Sequence, residues 1–235
     1  MKYFLSIAFL CFLVVSCSTN ENEMNLTGTI KGLKKGTLLL QKLEDTLLVT
    51  IDSVMIDGDA TFQFSETVES PEIYYLKVRL KDGTLQDDQI AFFAEAGDVN
   101  INTSIKNFMV DAVVTGSENQ EKLLEYKKLI GRYNDKNLDY MEELLNARIQ
   151  KNDSAINNLQ QKQISIIKSK YFATVNYALN NNDYEVVPYL MLSEIYDANI
   201  KYLDTVYKAL TPKIKDSKYG KALESFISER EKSKN

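Results

Sequence analysis

The spacing of apolar residues changes near residue 116, and this change divides the sequence into two parts. Before it, apolar and polar residues alternate in short stretches that end at Gly, Asp or Asn, a pattern typical of half-buried β-strands. After it, apolar residues recur every three or four positions over long stretches, as in amphipathic helices. Seven of the nine glycines precede Ser117. The sequence therefore predicts a β-domain followed by a helical domain.

About eight strands are predicted in the first part, with a turn roughly every ten residues. They cover residues 26–30, 37–43, 49–56, 60–66, 73–80, 89–94, 99–103 and 111–115. Asp57-Gly58 is typical of a tight hairpin, so we expect the strand after this turn to pair with the strand before it. Asp82-Gly83 marks a second turn. Because no helical stretch separates the strands, they favour an antiparallel β-sandwich or barrel over a parallel sheet.

About five helices are predicted in the second part. Residues 117–120 predict a capping box at the start of the first helix. The Ser117 side chain is expected to accept a hydrogen bond from the backbone N–H of Gln120, and the Gln120 side chain from the backbone N–H of Ser117. The first helix then carries one apolar stripe, formed by Leu123, Tyr126, Ile130, Tyr133, Asn137, Tyr140, Leu144 and Ala147. The other helices are expected after residue 153, around Pro188, over 200–210 until Pro212 stops the helix, and over 218–232. Sustained heptads are missing, so we expect an α+β fold that ends in a compact helical bundle.

The first 23 residues have a different character from the rest. Residues 1–16 combine Lys2 with an apolar run, as in a secretory signal peptide, and polar residues follow too soon for a membrane-spanning helix. Val14-Val15-Ser16-Cys17 resembles the bacterial lipobox, which implies cleavage before Cys17 and acylation of its thiol. The alternative is an ordinary signal with an incidental cysteine. We therefore expect a lipid-anchored protein of the bacterial cell envelope that faces the periplasm or the cell surface.

The predicted organisation has four segments. They are a signal peptide at 1–16, a lipidated tether at 17–23, a β-sandwich domain at 24–116 and a helical domain at 117–235.

The composition excludes several kinds of chemistry. The sequence contains no His, and its two cysteines are Cys11, which leaves with the signal, and Cys17, whose thiol is expected to carry lipid. Zinc sites, thiol nucleophiles, Ser-His triads and dithiol couples therefore lack their side chains. The net charge of −5, without a basic block, gives no electrostatic footprint for nucleic acid. We predict no catalytic, cofactor-binding or metal-binding residue.

Two polar groupings are weak candidates for ligand sites. Asp57 and Asp59 carry the oxygen ligands that calcium prefers, but a solvated turn explains them better because the rest of a calcium loop is missing. Glycines recur every four residues at Gly28, Gly32 and Gly36, yet a strand follows them rather than the helix of a phosphate-binding loop. We interpret these glycines as turn and strand residues.

Two further groupings leave alternatives open. Five carboxylates, those of Glu66, Glu69, Glu72, Asp87 and Asp88, are candidates for the acid and base of glycoside cleavage, although acidic residues normally line exposed loops. The sequence also has 14 tyrosines, most of them in the helical part. Tyrosine is enriched at protein interfaces and also packs helical bundles with its hydroxyl at the rim.

Three stretches together resemble a known family. Residues 26–32, residues 51–64 and residues 92–117, which end in Val114-Thr-Gly-Ser117, are similar in order and spacing to domain of unknown function 4369. The resemblance covers roughly residues 24–117. It implies the N-terminal region of Bacteroidetes envelope lipoproteins, in which a helical linker and a thioredoxin-like domain follow. The present sequence has no Cys-x-x-Cys motif, so the resemblance implies an accessory form without the enzymatic part.

The expected function is therefore that of a non-enzymatic, lipid-anchored envelope protein. Its expected contacts are the membrane, through the N-terminal lipid, and a thioredoxin-like protein or a second copy of itself. The alternative is a ligand-binding or carbohydrate-active lipoprotein that uses carboxylates on the β-sandwich.

Overall fold

The computed structural model describes residues 22–233, and the predicted signal peptide and Cys17 lie outside them. The eight strands are β1 Glu23–Lys31, β2 Lys35–Glu44, β3 Leu47–Asp57, β4 Thr61–Thr67, β5 Glu72–Leu80, β6 Leu85–Ala94, β7 Gly97–Ser104 and β8 Val113–Thr115. The six helices are α1 Glu118–Ile149, α2 Asp153–Asn180, α3 Val186–Ser193, α4 Ile200–Ala209, α5 Pro212–Asp216 and α6 Lys218–Lys232. The α+β class and the order of strands before helices are confirmed.

The strands form two four-stranded sheets that pack face to face. Their orders are β4-β1-β7-β8 and β3-β2-β5-β6. Inward side chains of both sheets, among them Leu26, Leu76 and Phe92, share one apolar core. Within residues 22–233 all pairs are antiparallel except β1 and β7, which run parallel. This differs from the expected antiparallel sandwich, because β7 enters its sheet by a short crossing from β6 of the other sheet.

The hairpin predicted at Asp57-Gly58 is wrong, although the turn itself is present. Gly58 has a positive φ of 97°, and the Asp59 carboxylate accepts a hydrogen bond from the Thr61 backbone at 3.0 Å. However, β3 pairs with β2, and β4 pairs with β1 in the opposite sheet. The turn therefore crosses between the sheets. Asp82-Gly83, in contrast, joins β5 to β6 within one sheet.

Helices α1 and α2 form an antiparallel pair, which we call the arm (residues 118–180). Ser117 Oγ accepts from the Gln120 backbone at 3.0 Å, which confirms half of the predicted capping box. The Gln120 side chain does not complete the box, because its Oε1 accepts from the Phe93 backbone at 3.0 Å. Far from the sandwich, Leu144 and Leu159 belong to a small separate cluster that packs the two helices together.

The shorter helices pack around the base of the arm. Residues 22–233 contain six helices rather than about five, because Pro212 not only follows α4 but also begins α5. Proline suits this first position because its missing N–H has no partner there in any helix.

The sandwich and the helices share a junction on the outer face of β5 and β6. Phe93 is fully buried there, edge-on to Tyr189 and Tyr219 with ring centroids 5.4 and 6.3 Å away. The Ile73 backbone N–H donates to the Tyr219 hydroxyl at 3.0 Å. Both strand residues therefore belong to the helical core, and this part of the second sheet is covered on both faces.

Candidate functional site

A polar cleft of about 770 Å³ lies between the sandwich and the helices. Six carboxylates line it together with one lysine, Lys213; they belong to Glu69, Glu95, Glu118, Asp183, Glu185 and Asp216. The acidic side chains come from five separate parts of the chain: the β4–β5 connection, the β6–β7 connection, the start of α1, the segment that precedes α3 and the segment that precedes α6. The cleft is thus strongly acidic.

Asn119 organises the inner end of the cleft. It is 3% exposed, and its Nδ2 donates to Glu95 at 2.6 Å and to Glu185 at 3.1 Å. Its Oδ1 accepts from the Val186 backbone at 2.9 Å. Glu95 also accepts from the backbone N–H of Glu118, at the start of α1, where a negative charge is favourable. Glu95 and Asn119 therefore hold the beginnings of α1 and α3 in place, and Glu185 is bonded to the same Asn119 amide, so these groups have a structural role.

The carboxylates singled out from the sequence are not brought together. Glu69 lines the cleft, whereas Glu72 forms an ion pair with Lys218. Asp87 and Asp88 are exposed on β6, and Glu66 lies on β4. These residues do not form one acid–base site. The other residues that converge were missed because they belong to segments that lie far apart in the sequence.

The pKa of the Glu66 carboxyl is raised above its ordinary value. Burial has the largest effect on the Glu66 pKa, the charge of Asp52 raises it further, and Lys42 lowers it. Its position explains the shift, because it follows Phe64 on the inward side of β4, at the rim of the sandwich core. A shift with a structural cause does not by itself indicate catalysis.

The calcium candidates have other partners. Asp57 lies 2.7 Å from Lys35, and Asp59 holds the turn described above. Within residues 22–233, no three His, Cys, Asp or Glu side chains are grouped so that they could hold a metal.

The glycine considered for a phosphate-binding loop has a packing role. A Cβ on Gly28 would lie 1.9 Å from the Ile101 carbonyl oxygen, so this glycine permits close packing of the strands. Among residues 22–233, no helix is both long and apolar enough to cross a bilayer.

Most tyrosines of the helical part pack its core. Tyr126 is buried, and eight others lie against the core at its edge: Tyr133, Tyr171, Tyr177, Tyr184, Tyr189, Tyr202, Tyr207 and Tyr219. Burial raises the pKa of Tyr126, Tyr177 and Tyr189 above the usual range of a phenol. Tyr196 differs, because it is 55% exposed. The packing interpretation therefore fits most of these side chains.

An exposed apolar face lies on one side of the arm. Leu138, Met141, Leu145 and Ile149 are 51–72% exposed, and their spacing of three and four residues places them in one row along α1. This row is distinct from the buried stripe that faces α2. Only one stripe was predicted for α1, although the spacing of the second row is also present in the sequence.

Two residues of α2 extend this face. Ile164 and Ile167 are 46% and 38% exposed. Lys162 lies over the ring of Tyr140, 5.7 Å from its centroid, so the antiparallel helices place Ile164 at the level of Leu138. Helix geometry puts both isoleucines on the same side of the arm as the α1 row. We call the six residues Leu138, Met141, Leu145, Ile149, Ile164 and Ile167 the arm face.

A shallow groove of about 240 Å³ adjoins the arm face at the base of the arm. Ile167 lines this groove and also belongs to the arm face. The exposed Tyr196 lies beside it, as does an ion pair between Lys170 and Glu194 at 3.0 Å. The apolar surface of the arm therefore continues into a mixed apolar and polar groove.

The fold defines the protein as a β-sandwich domain joined to a helical region with an extended two-helix arm. Residues 24–123 match the model of a family described as domain of unknown function (DUF4369), which confirms the resemblance found in the sequence. The match includes every strand and the start of α1, where Ser117, Asn119 and Gln120 join the helices to the sandwich. No curated protein matches the chain.

Proposed function

We propose that this protein is a lipid-anchored protein of the cell envelope that has no catalytic role and binds another protein through its arm. It would be an accessory module of envelope thiol-disulfide systems, and its partner a thioredoxin-like protein or a second copy. The observation that carries the proposal is the arm face. Each Å² of apolar surface removed from water contributes about 25 cal/mol, so a contiguous exposed apolar row favours binding.

The proposed absence of catalysis is supported by the roles of the acidic groups. Glu95 and Glu185 both accept from the Asn119 amide, and Glu95 also accepts from the backbone N–H at the start of α1. The carboxylates considered as candidates for an acid and a base are distributed over separate surfaces. The relation to envelope thiol-disulfide systems is supported by the resemblance of residues 24–117 to the N-terminal region of such lipoproteins.

The proposed anchor is testable by labelling living cells with an alkyne-tagged fatty acid. We expect the full chain to incorporate the label and to sediment with membranes, since Cys17 follows a lipobox-like sequence. Cys17→Ser is expected to lose both properties. An unlabelled wild-type chain, or labelling that survives Cys17→Ser, would contradict the anchor. Protease treatment of intact cells then distinguishes the cell surface from the periplasm.

The proposed interaction is testable with a photo-crosslinking amino acid in the full chain in intact cells. Met141 is the test position, and Glu143 is the control because it is exposed on the same helix but lies about 200° around its axis. We expect a discrete crosslinked product from Met141 and none from Glu143. Absence of a product from both positions contradicts the interaction role.

One observation favours the alternative, a ligand-binding or carbohydrate-active lipoprotein. The cleft is concave, and it contains Glu69, one of the carboxylates considered for glycoside cleavage. Calorimetric titration of the chain with soluble oligosaccharides tests this function. Saturable binding that Glu69→Gln weakens supports it, whereas the absence of binding across a panel of neutral and cationic glycans counts against it.

A further inference from the structure

We infer that the arm face binds the arm face of a second copy, so that the protein forms a two-fold homodimer through α1. This inference rests on the proposed function, since it names the partner that the arm binds.

The size of the arm face agrees with one half of such an interface. Its six side chains, each 38–72% exposed, present on the order of 500 Å² of apolar surface. A stable interface of standard size buries about 800 Å² on each partner, part of it polar rim. The arm face and the adjoining groove together supply an area of this magnitude.

The row on α1 is complementary to itself. In an antiparallel pair of α1 helices with the two-fold axis midway between Met141 and Leu145, each Met141 lies opposite Leu145 of the other copy. Leu138 and Ile149 of the other copy then lie within one residue of the same level, about 1.5 Å along the axis, so all four side chains of the row have an apolar neighbour. A two-fold interface requires this property, because the same patch must serve both subunits.

The charges of the arm permit the association of two copies. Residues 118–180 contain ten Lys or Arg and eight Asp or Glu, so two arms carry little net repulsion. A membrane surface is a less suitable occupant, because helices that lie on anionic lipid carry Lys and Arg beside their apolar face. Here the outer flank of the row carries Asp135 and Glu142.

Glu142 gives the proposed arrangement a specific consequence. It is exposed, next to Met141 in the sequence and at the edge of the row. In the antiparallel pair the two Glu142 carboxylates approach each other across this edge, where like charges weaken association. Removing the charge with Glu142→Gln is therefore expected to tighten the dimer about two- to fivefold, the size of an exposed pair interaction.

Cysteine crosslinking of the full chain in membranes tests the inference directly. Leu145→Cys is introduced with Cys11→Ser, two differently tagged copies are coexpressed, and a short bismaleimide is added. We expect a product of twice the chain mass that contains both tags. Glu143→Cys in the same background is the matched control and is expected to give none. The Cys11→Ser chain without an added cysteine shows whether Cys17 itself reacts with the bismaleimide.

The oligomeric state of the detergent-solubilised chain provides a second measurement. We expect a dimer by light scattering, and Leu145→Glu is expected to raise its dissociation constant at least tenfold with an unchanged circular dichroism spectrum. Glu143→Gln is expected to change nothing. A monomeric wild-type chain, or a dimer that Leu145→Glu leaves intact, overturns the inference. A crosslink from position 145 to a different protein also overturns it, while leaving the proposed interaction function in place.

Discussion

Two glycines have opposite roles, and the space around each decides what a substitution does. Gly28 in β1 packs so closely on β7 that a Cβ would lie 1.9 Å from the Ile101 carbonyl oxygen. Gly131 lies inside α1, and a Cβ there would have no heavy atom within 4 Å. The first glycine is required by strand packing, whereas the second only increases the backbone entropy lost on folding.

We therefore expect Gly131→Ala to raise the free energy of unfolding by about 0.5–1 kcal/mol. Gly28→Ala is expected to lower it by several times that amount, since β1 or β7 must move. Urea denaturation followed by circular dichroism measures both changes. Equal effects of the two substitutions on the free energy of unfolding would contradict the close approach of β1 and β7.

Tyr171 links the stability of the arm base to pH. Burial raises the pKa of Tyr171 to about 12, and the hydrogen bond from its hydroxyl to Asp197, at 2.7 Å, adds to the shift. An unfolded tyrosine titrates near pH 10. Between these two values the folded state keeps a proton that the unfolded state loses, so stability is full below pH 10 and falls as the pH rises toward 12.

Titration followed by tyrosinate absorbance tests this shift. The difference between the wild-type and Tyr171→Phe curves isolates the residue, and we expect its midpoint near pH 12. In Asp197→Asn the midpoint is expected to move toward the ordinary value, because the neighbouring negative charge is removed. A Tyr171 midpoint near pH 10 in the wild-type chain would contradict the burial and the hydrogen bond.

At the scale of elements, local patterns predicted where strands and helices lie better than how they pair. All eight strands occur near their predicted positions because alternation and turn residues are local signals. The partner of β4 was wrong because Asp57-Gly58 specifies a turn but not the sheet in which the chain continues. The parallel pairing of β1 with β7 joins residues more than 70 positions apart, and no short pattern encodes it.

The start of α1 shows how tertiary contacts change a local motif. Ser117 caps the helix as its sequence predicts, but Gln120 turns to the edge of β6 and accepts from Phe93 at 3.0 Å. Gln120 is 4% exposed, so this bond is shielded from water. Without the side-chain oxygen, the Phe93 N–H would be buried and unpaired.

Gln120→Leu is therefore expected to destabilise the protein by about 1–3 kcal/mol, the cost of leaving a buried donor unsatisfied. Hydrogen exchange of the Phe93 amide is expected to accelerate at the same time. Gln161→Leu makes the same chemical change at an exposed position of α2 and is the control, with an expected effect below about 0.5 kcal/mol. Unchanged protection of the Phe93 amide in Gln120→Leu would contradict this role.

At the scale of the whole molecule, the two candidate surfaces differ in how far the sequence predicts them. The row on α1 is regular, so its spacing is present in the sequence, but its exposure depends on which side of α1 packs against α2. The cleft is not predictable in this way. Glu95, Asn119 and Glu185 come from three distant segments and converge only because the helices dock on the outer face of the second sheet.

Because the helices dock at this face, we expect the sandwich and the helices to unfold as one cooperative structure. Phe93 belongs to a strand but is buried in the helical core, between Tyr189 and Tyr219. Its removal leaves a cavity between the two parts, and truncation of a buried phenylalanine costs about 3–5 kcal/mol. Phe172, on α2, is 57% exposed and has one aromatic neighbour, Tyr202, so it serves as a matched control.

We therefore expect Phe93→Ala to lower the free energy of unfolding by about 3–5 kcal/mol, and Phe172→Ala by about 1 kcal/mol. Calorimetry of the wild-type chain is expected to show one transition. In Phe93→Ala the helical region is expected to unfold before the sandwich, because the sandwich keeps its own core between the two sheets while the helices lose their central aromatic contact. Similar losses in the two variants, or wild-type helices that already melt separately, would mean that the junction does not couple the two parts.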